Sequence, residues 1–491
     1  MKHLKKIWPI LLVATLLMLF VACDKTPDTP DTPTVADTDP ATQAPEDPSN
    51  AEETDPESEL PTEAPTEAPT EAPTEPEKET VPEDVALPYV PSKPVELGDW
   101  KGIWLSQFDL QNVYHNESGA QNSEAQFRMI MEKLLGNVVK DGYNTIVVQV
   151  RPNADSMYPS EYYPPSKYVV GAYGKDFTYD PFAIIVELAH KKGLDVHAWI
   201  NPMRGMSDNE LKAIDEKYTI KQWYNDSTKK GTYITLQEKG GTVLWYLNPA
   251  YADVRKLIVD GAREIMQKYD VQGVHMDDYF YPVGPDQTAF DRTAYQLYHR
   301  THGTVSVADF RRLCLDKLVS ELYAGVKKEN IDALFGISPA GNMDTVVNSH
   351  CADVKNWCAN PGYVDYIMPQ VYFGFEHKSH AFNKVCDTWQ SIIKTDYVKL
   401  IIGVTFGKAQ TGWDEYAGDL GKDEWTRHKD IMKRSLEYSM TLEKCVGMTV
   451  FCYQYLYDPT TGNVNELTTQ EHSSFARVMQ KATWPASKKD N

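Results

Sequence analysis

The amino-acid sequence predicts a (β/α)8 TIM barrel, with an insertion between strands three and four and a disordered tether before the first strand. Two observations predict this fold. Eight short apolar segments follow one another over about the last four hundred residues, and amphipathic stretches with helical spacing lie between them. Each parallel strand needs a crossover helix to return the chain, so this alternation is typical of a closed parallel barrel.

The chain begins with features of a lipoprotein signal peptide, residues 1–22. Three lysines precede an apolar run over residues 7–22, which as a helix would span about 24 Å, short of the roughly 30 Å hydrocarbon core. Residues 19–23 resemble the bacterial lipobox, so we expect Cys23 to carry lipid and to hold the protein on the extracellular face of the cell membrane. The alternative is a plain secreted protein in which this cysteine is incidental.

Residues 23–97 predict a disordered, acidic tether. They consist almost entirely of Pro, Thr, Glu, Asp, Ala and Ser, a composition that buries too little apolar surface to offset the entropy of ordering. Residues 24–96 hold 21 acidic and 3 basic residues, so most of the net charge of −21 lies there, and residues 98–491 carry only −6. The predicted barrel, residues 98–491, therefore has no basic surface suited to nucleic acid. We expect a monomer.

The eight strands are predicted at Gly102–Gln107, Thr145–Arg151, Asp195–Asn201, Gly273–Phe280, Ala333–Pro339, Tyr366–Tyr372, Lys399–Phe406 and Gly447–Gln454. Helical spacing marks Glu124–Asp141, Pro181–Gly193, Asp253–Tyr269, Val307–Asn330 and Trp425–Glu443. A doubly wound open sheet is the rival fold, and its dinucleotide-binding form is weakened because no Gly-x-Gly-x-x-Gly follows the first strand.

Glycines mark three of the junctions that lead from a helix into a strand. Gly142, Gly193 and Gly273 are each predicted to supply the left-handed residue that ends the helix. The polar clusters at the far ends of the strands then fall on one common rim, where the catalytic residues of a barrel enzyme lie.

Side chains alternate between the two faces of a strand, and this sorts the rim residues. The polar set, expected to face the barrel axis, is Gln149, Arg151, His197, Trp199, Asn201, His275, Asp277, Tyr279, Gln370 and Tyr372. On the fourth strand Asp277 therefore points into the mouth, whereas Asp278 is turned aside unless the strand bends at its end.

The adjacent pair Asp277 and Asp278 is the predicted catalytic feature. Glycosidic hydrolysis usually takes two carboxyl groups, so Asp277 is assigned as nucleophile, base or stabiliser of an oxocarbenium-like centre. Asp278 is either the second carboxylate or a group that orients its neighbours. The structural alternative is that the pair caps the following loop or pairs with Arg151 or Arg204. Further candidates for the acid are Asp109, Asp155, Asp344 and Glu376.

Two segments near the rim are predicted to shape a cleft. The loop after strand two is rich in tyrosines that either stack on sugar rings or pack within the loop; they are Tyr158, Tyr162, Tyr163, Tyr168, Tyr173 and Tyr179. The insertion after strand three contains a predicted hairpin, residues 233–237 with 243–247, that would form a wall of the cleft. Beyond Cys23 six cysteines permit up to three disulfides but match no metal-binding spacing, so no metal and no cofactor are expected.

Seven motifs in this order resemble the bacterial glycosyl-hydrolase-like barrel lipoproteins related to glycoside hydrolase family ten. They are Gly102–Leu105, Gln149–Pro152, His197–Arg204, Asp277–Pro282, Arg311–Arg312, Gly336–Pro339 and Asp365–Tyr372. Some members of that group hydrolyse the denuded glycan strands of peptidoglycan. The resemblance implies an exported glycosidase with a TIM barrel, but it leaves the partner of the Asp pair unassigned.

Two analogies of fold bear on mechanism. The stretch Gly273–Asp277 matches the parity of the amylase-type nucleophile motif, but His275 replaces its Arg and strand five lacks the Glu that amylases use as acid. Strand six is similar to that of chitinase-type barrels, in which the substrate's own N-acetyl group attacks; their acidic residue, however, corresponds to Tyr279 here.

We therefore predict an extracellular, membrane-tethered glycoside hydrolase acting on a polysaccharide, with peptidoglycan strands the favoured substrate. The substrate-binding candidates are Trp104, Arg151, Asn201, Arg204, His275, Tyr279, Gln370 and Tyr372. The alternatives are a non-catalytic carbohydrate-binding lipoprotein and a metal-dependent polysaccharide deacetylase.

Overall fold

The computed structural model describes residues 89–116, 118–239, 241–278 and 280–487. The predicted signal peptide, Cys23, most of the tether and Tyr279 lie outside the described residues. Residues 89–99 run in irregular conformation to the first strand, and the Pro91 carbonyl accepts a hydrogen bond from the Tyr397 hydroxyl at 3.3 Å. Within the described part of the chain, no helix is both long enough and apolar enough to span a membrane.

Eight parallel strands close into a barrel, which confirms the predicted fold class and excludes the open sheet. The barrel strands are β1 (Trp100–Leu105), β2 (Thr145–Arg151), β3 (Asp195–Ile200), β6 (Gly273–Met276), β7 (Leu334–Ile337), β8 (Tyr366–Ile367), β9 (Lys399–Thr405) and β10 (Cys445–Phe451). The predicted insertion forms the antiparallel hairpin of β4 (Ile234–Lys239) and β5 (Thr242–Leu247). All eight predicted barrel strands are present, although β6, β7 and β8 end earlier than predicted.

Helices surround the barrel and fill the connections. They are α1 (Gln107–Tyr114), α2 (Glu124–Lys140), α3 (Lys167–Val170), α4 (Pro181–Lys191), α5 (Asp208–Ala213), α6 (Thr219–Asn225), α7 (Ala252–Lys268), α8 (Arg292–His302), α9 (Val307–Glu329), α10 (Val354–Ala359), α11 (Phe382–Ile392), α12 (Gly407–Thr411), α13 (Gly418–Gly421), α14 (Glu424–Arg427), α15 (Ile431–Ser439) and α16 (Thr469–Met479). A π-helical turn covers Thr345–Ser349, and 3₁₀ turns cover Tyr453–Tyr455 and Pro485–Ser487.

The last predicted helix, residues 425–443, is instead two helices separated at His428, where the backbone is extended. The Glu471 carboxylate lies at the N-terminus of the second helix, α15, and accepts the N–H groups of Ile431 and Met432 at 3.0 and 3.1 Å. A carboxylate that receives the free N–H groups of a helix stabilises its N-terminus. The break is therefore stabilised from α16, about forty residues further along the chain.

Two of the three junction glycines have the predicted conformation. Gly142 and Gly193 adopt φ values of +92° and +73°. Gly273 does not have a positive φ, so the prediction is wrong there. A Cβ on Gly273 would lie 2.2 Å from the Leu334 carbonyl oxygen and 2.8 Å from the His197 ring, so this glycine is required by close packing at the start of β6.

Two apolar layers hold the barrel. An outer layer packs the strands against the helices, and a separate inner cluster fills the barrel with Trp100, Trp104, Val147, Trp199, Leu334, Tyr366, Met368, Tyr372, Ile401, Val446, Phe451 and Cys452. The six described cysteines are all buried and none forms a disulfide.

Candidate active site

An open pocket, whose space of about 420 Å³ includes part of the adjoining solvent, lies inside the mouth of the barrel, at the carboxyl-terminal ends of the strands. Catalytic residues of TIM-barrel enzymes lie at this end because every strand delivers its following loop there. The pocket is lined by Trp104, Ser106, Gln107, Phe108, Gln149, Trp199, Asn201, Arg204, Asp277, Asp278, Ser338, Gln370, Tyr372 and Phe451.

Both carboxylates of the predicted pair line this pocket. Asp277 is 2% exposed, and its Oδ2 accepts a hydrogen bond from the Trp199 indole N–H at 3.0 Å. The strand β6 ends at Met276 and the chain bends at Asp278, so the strict alternation of a strand no longer applies there. Asp278 is consequently turned into the mouth beside Asp277, as the sequence allowed if the strand bends.

Burial raises the pKa of the Asp278 carboxyl above its ordinary value. The positive charge of Lys239, at the tip of the β4–β5 hairpin, and a hydrogen bond from Gln370 act in the opposite direction. A carboxyl with a raised pKa keeps its proton to higher pH, which suits a group that donates a proton to a leaving oxygen. The hairpin insertion thus reaches the electrostatic environment of the Asp pair.

A chain of amides fixes the orientation of Asn201. The Gln107 backbone N–H donates to Gln149 Oε1 at 2.9 Å, so the Gln149 amide nitrogen faces Asn201 and donates to its Oδ1 at 3.3 Å. The Asn201 Nδ2 group, buried in the pocket wall, has no hydrogen-bond partner among the described residues. A buried donor left unpaired costs about 1–3 kcal/mol, so this group is suited to a polar atom of a ligand.

Gln370 presents the complementary group. Its Nε2 donates to the Ser338 carbonyl oxygen at 3.0 Å, and its amide also donates to the Asp278 carboxylate. The Ser338 carbonyl can only accept, so the amide nitrogen must face it and the amide oxygen is left over. Gln370 Oε1 is buried and has no hydrogen-bond partner among the described residues. Gln107 Oε1 is likewise buried without a hydrogen-bond partner among the described residues, so the pocket offers the donor Asn201 Nδ2 and two acceptors, Gln370 Oε1 and Gln107 Oε1.

His275 forms part of the floor beneath the pocket and does not line it. Its Nδ1 lies 3.0 Å from the Tyr366 hydroxyl and its Nε2 lies 2.8 Å from Ser338 Oγ. Burial, with a smaller contribution from His197, lowers the pKa of His275 well below its ordinary value, so the imidazole is neutral. It supports the pocket through Ser338, so His275 does not line the pocket as its predicted role in substrate binding requires.

Aromatic rings form a continuous part of the pocket wall, from β1 and β10 across the barrel to the segment after β8. Trp104 packs edge-on against Phe451 with ring centroids 6.1 Å apart, and Phe451 stacks with Tyr372 at the same separation. All three rings are at least 96% buried. Flat apolar rings next to polar amides and carboxylates are the combination that fits the apolar and polar faces of a sugar.

Arg151 does not line the pocket, so the prediction that it faces the barrel axis is wrong. The pairing of β2 with β3 shifts after Gln149, with Arg151 rather than Val150 opposite Ile200. This bulge inserts one residue and turns Arg151 outward. Its guanidinium lies 4.5 Å from the centre of the Tyr163 ring, and its Nη2 donates to the Ile258 carbonyl at 3.4 Å.

Some of the remaining predicted site residues line the pocket and others do not. Arg204 lines the pocket and Tyr279 lies outside the described residues. The four further acid candidates do not line the pocket. Asp109 and Asp155 are fully buried, and they accept hydrogen bonds from the Gln454 N–H and the Tyr173 hydroxyl. Asp344 is exposed, and Glu376 forms an ion pair with Arg427. The tyrosines of the loop after β2 also lie outside the pocket lining, which supports loop packing over sugar stacking.

The site predictions omitted several lining residues: Ser106, Gln107, Phe108, Gln149, Trp199, Ser338 and Phe451. Gln149 and Trp199 carry the inward parity that sequence alternation assigned, so that signal could have selected them. Ser106 and Ser338 lie just after β1 and β7, and Gln107 and Phe108 begin α1, so strand alternation does not apply to these four residues. Phe451 is the last residue of β10. Across the described residues, no cluster of three or more His, Cys, Asp or Glu side chains is arranged to hold a metal ion.

Comparison with known proteins identifies the family. The model of a family described as glycosyl hydrolase-like 10 matches residues 99–415, which span β1 to the loops after β9 and include the whole Asp-pair region. The chain belongs to the glycosyl hydrolase-like 10 family. This family membership confirms the resemblance predicted from the seven motifs.

Curated relatives of this family member carry the same description. The glycosyl hydrolase YngK of Bacillus subtilis is 30% identical over 77% of this chain and 73% of its own length. The glycosyl hydrolase DigH of Escherichia coli is 27% identical over 78% of this chain and 91% of its own length. Together these relatives and the family support a glycosidase-type function.

Solved structures confirm the fold. The catalytic domain of β-amylase from Paenibacillus polymyxa aligns with a TM-score of 0.51 and 11% identity, covering 79% of this chain and all of that domain. At this level of identity the likeness shows the barrel architecture alone.

Proposed function

We propose that this glycosyl hydrolase-like 10 protein is an exported glycoside hydrolase that cleaves O-glycosidic bonds of an extracellular glycan, with peptidoglycan glycan strands as the favoured substrate. The observation that carries the proposal is the placement of Asp277 and Asp278 together in an aromatic-lined pocket at the catalytic end of the barrel. Family membership and the glycosyl hydrolase relatives support the reaction class.

The two carboxylates take different roles because their surroundings differ. Asp278, whose pKa is raised by burial, is assigned as the proton donor to the leaving oxygen. Asp277 accepts the hydrogen bond from Trp199, which fixes the position of its carboxylate in the pocket, and is assigned to stabilise positive charge that develops on the sugar. The buried amides of Asn201 and Gln370 bind polar groups of the same sugar.

We also propose that Cys23 carries a lipid that anchors the protein to the extracellular face of the cell membrane. The leader sequence and the acidic composition of residues 23–97 support this proposal. The described end of the tether packs at the amino-terminal end of the barrel, near Trp100, whereas the pocket lies at the opposite end. A tether attached there leaves the mouth directed away from the membrane and towards a cell-wall glycan.

The test is digestion of purified, peptide-free peptidoglycan strands by the full-length protein, with products identified by mass. Asp278→Asn should lower the rate of product release by about 10²–10⁴-fold, the usual contribution of a general acid, and Asp277→Asn should also lower it strongly. The matched control is Asp215→Asn, because Asp215 is exposed and its side chain accepts the Lys217 N–H in a bond that Asn retains. Equal rates in the parent and both site variants would refute the assignment.

One observation favours a second candidate, a non-catalytic carbohydrate-binding lipoprotein. Of the described residues that line the pocket, Asp277 and Asp278 are the only carboxylates, and both come from the same segment. Titration calorimetry with the same strands separates the two functions. Binding that survives Asp278→Asn, without product release by the parent, would establish the binding protein.

A further inference from the structure

The side of the pocket that faces the Asp pair holds no carboxylate. The strand order places β10 directly across the barrel from β6, with β1 and β9 beside it. The lining residues supplied by these strands and the turn after β1 are Trp104, Ser106, Gln107, Phe108 and Phe451. Enzymes that use two carboxylates place them on the two sides of the scissile bond, about 5–9.5 Å apart. Here both described carboxylates lie on one side of any bound sugar.

A displacement at the sugar carbon still needs a nucleophile on the face opposite the leaving group. The groups on the facing side are three aromatic rings, the Ser106 hydroxyl and the Gln107 amide. The Ser106 hydroxyl is held in the capping box of α1, where it donates to the buried Asp109 carboxylate at 2.6 Å and accepts the Asp109 N–H at 3.2 Å, so it is occupied in capping the helix. The nucleophile must then come from water or from the substrate itself. Water would need a base on that side to accept its proton, and the structure offers none there among the described lining residues.

Neighbouring groups suit a sugar that bears an amide. Asp277 is held by the Trp199 N–H, and a carboxylate has lone pairs enough to accept a substrate N–H as well. Gln370 Oε1 is a second buried acceptor, Asn201 Nδ2 is a buried donor, and the orientation of each is fixed by protein partners. The rings of Trp104 and Tyr372 supply an apolar surface for a methyl group.

We propose that the bond cleaved belongs to a 2-acetamido sugar and that the acetamido oxygen of this sugar is the nucleophile, with Asp278 as acid and base and Asp277 as the residue that holds the amide N–H. This proposal rests on the glycosidase function proposed above and names the substrate class of the same pocket.

The proposed reaction consists of two displacements at C1 of the sugar. The acetamido oxygen bonds to C1 as the C1–O glycosidic bond breaks, and the Asp278 proton passes to the leaving oxygen. The resulting oxazolinium ion has its charge on the ring that contains the amide, beside the Asp277 carboxylate. Water then attacks C1 and gives its proton to Asp278, the C1–oxygen bond of the oxazolinium ring breaks, and the acetamido group is restored. Two displacements at C1 leave its configuration retained.

The first experiment compares peptide-free peptidoglycan strands with the same strands after chemical removal of their N-acetyl groups. The full-length parent should cleave the acetylated strands and cleave the deacetylated strands several powers of ten more slowly, because the nucleophile is gone. N-acetylglucosamine thiazoline, which mimics the cyclic intermediate, should inhibit competitively, and Asp277→Asn should weaken this inhibition.

Trp199→Phe tests the positioning of Asp277. It removes the N–H that holds the carboxylate but keeps an aromatic ring. Since Trp199 acts through Asp277, the variant should lower kcat and weaken thiazoline inhibition while KM for the acetylated strands changes little. A merely structural role would lower the amount of folded protein and leave the thiazoline inhibition constant unchanged.

The results that overturn the inference differ from those that overturn the function. Equal cleavage of both kinds of strand, inversion at C1, or a covalent sugar adduct on the protein would refute substrate participation and leave a glycosidase. Lack of product from either kind of strand would overturn both proposals.

Discussion

Arg311 organises the segment that follows the Asp pair, and its replacement gives a sharp test of the structure. The side chain is fully buried and uses its whole guanidinium. It pairs with Asp291 through Nε and Nη2 at 2.9 and 3.0 Å, and it donates to the carbonyl oxygens of Val283, Gly284 and Gln287 at 2.8–3.0 Å. These acceptors all lie in the loop between β6 and α8, which begins with the Asp pair.

The expected loss follows from counting donors. Arg311→Lys keeps the positive charge but has three N–H donors, so at least two of the five contacts lose their partner. Each buried acceptor left unpaired costs about 1–1.5 kcal/mol, which gives a loss of about 3 kcal/mol in the free energy of unfolding. With a urea slope of about 3 kcal/mol per molar, the midpoint should fall by about 1 M.

The assay is urea unfolding followed by tryptophan fluorescence, with Arg312→Lys as the control. Arg312 is the next residue, but it is partly exposed and makes an Asp309 ion pair at 2.6 Å and one bond to the Val347 carbonyl at 3.3 Å. Its replacement should cost under about 1 kcal/mol. The reasoning is refuted if the two variants unfold at the same urea concentration.

Two further changes test local features of the fold. Burial raises the pKa of Asp316 to about 7, so the stability that its protonated form contributes is complete below about pH 4 and lost as pH rises through 7. The Asp316→Asn variant still accepts the Trp357 indole N–H. In urea unfolding, the variant should be on the order of 1–2 kcal/mol more stable than the parent at pH 8 and equally stable at pH 4. A parent that is more stable than the variant at pH 8 would contradict this expectation. Gly193→Ala should cost about 1 kcal/mol for its left-handed backbone, whereas Gly142→Ala should cost at least about 1 kcal/mol more, since a Cβ there would lie 2.7 Å from the Gln480 Cα. Thermal melting compares the two variants, and equal melting temperatures would contradict the steric argument.

The barrel could be predicted from the sequence because its signals are local. Alternation within β3 placed Trp199 and Asn201 on the inner side, and both line the pocket. Two of three junction glycines have the predicted left-handed backbone. In each case the pattern and the structure it specifies lie within a few residues, so periodicity and glycine content are enough.

The failures arise where a distant partner decides the local structure. Arg151 turns outward because β2 acquires a bulge in its pairing with β3, which the sequence of β2 alone does not reveal. The predicted helix over residues 425–443 is divided because Glu471 receives the N–H groups at the start of α15. Gly273 is fixed by the Leu334 carbonyl and the His197 ring on adjacent strands. The residues that make these contacts are far apart in the sequence, so a local sequence pattern does not reveal them.

The shortness of β6 explains why two neighbouring carboxylates can share one pocket. The ladder to β7 ends at Met276, whose carbonyl accepts the Ser338 N–H at 2.8 Å, so the pleat that would send Asp277 and Asp278 to opposite faces is no longer enforced. Asp277 keeps the inward direction through Trp199, and the bend brings Asp278 to the same side. A longer strand would have buried one carboxylate among the helices, where its charge would be costly. Ending the strand early therefore gathers both carboxylates at one side of the mouth.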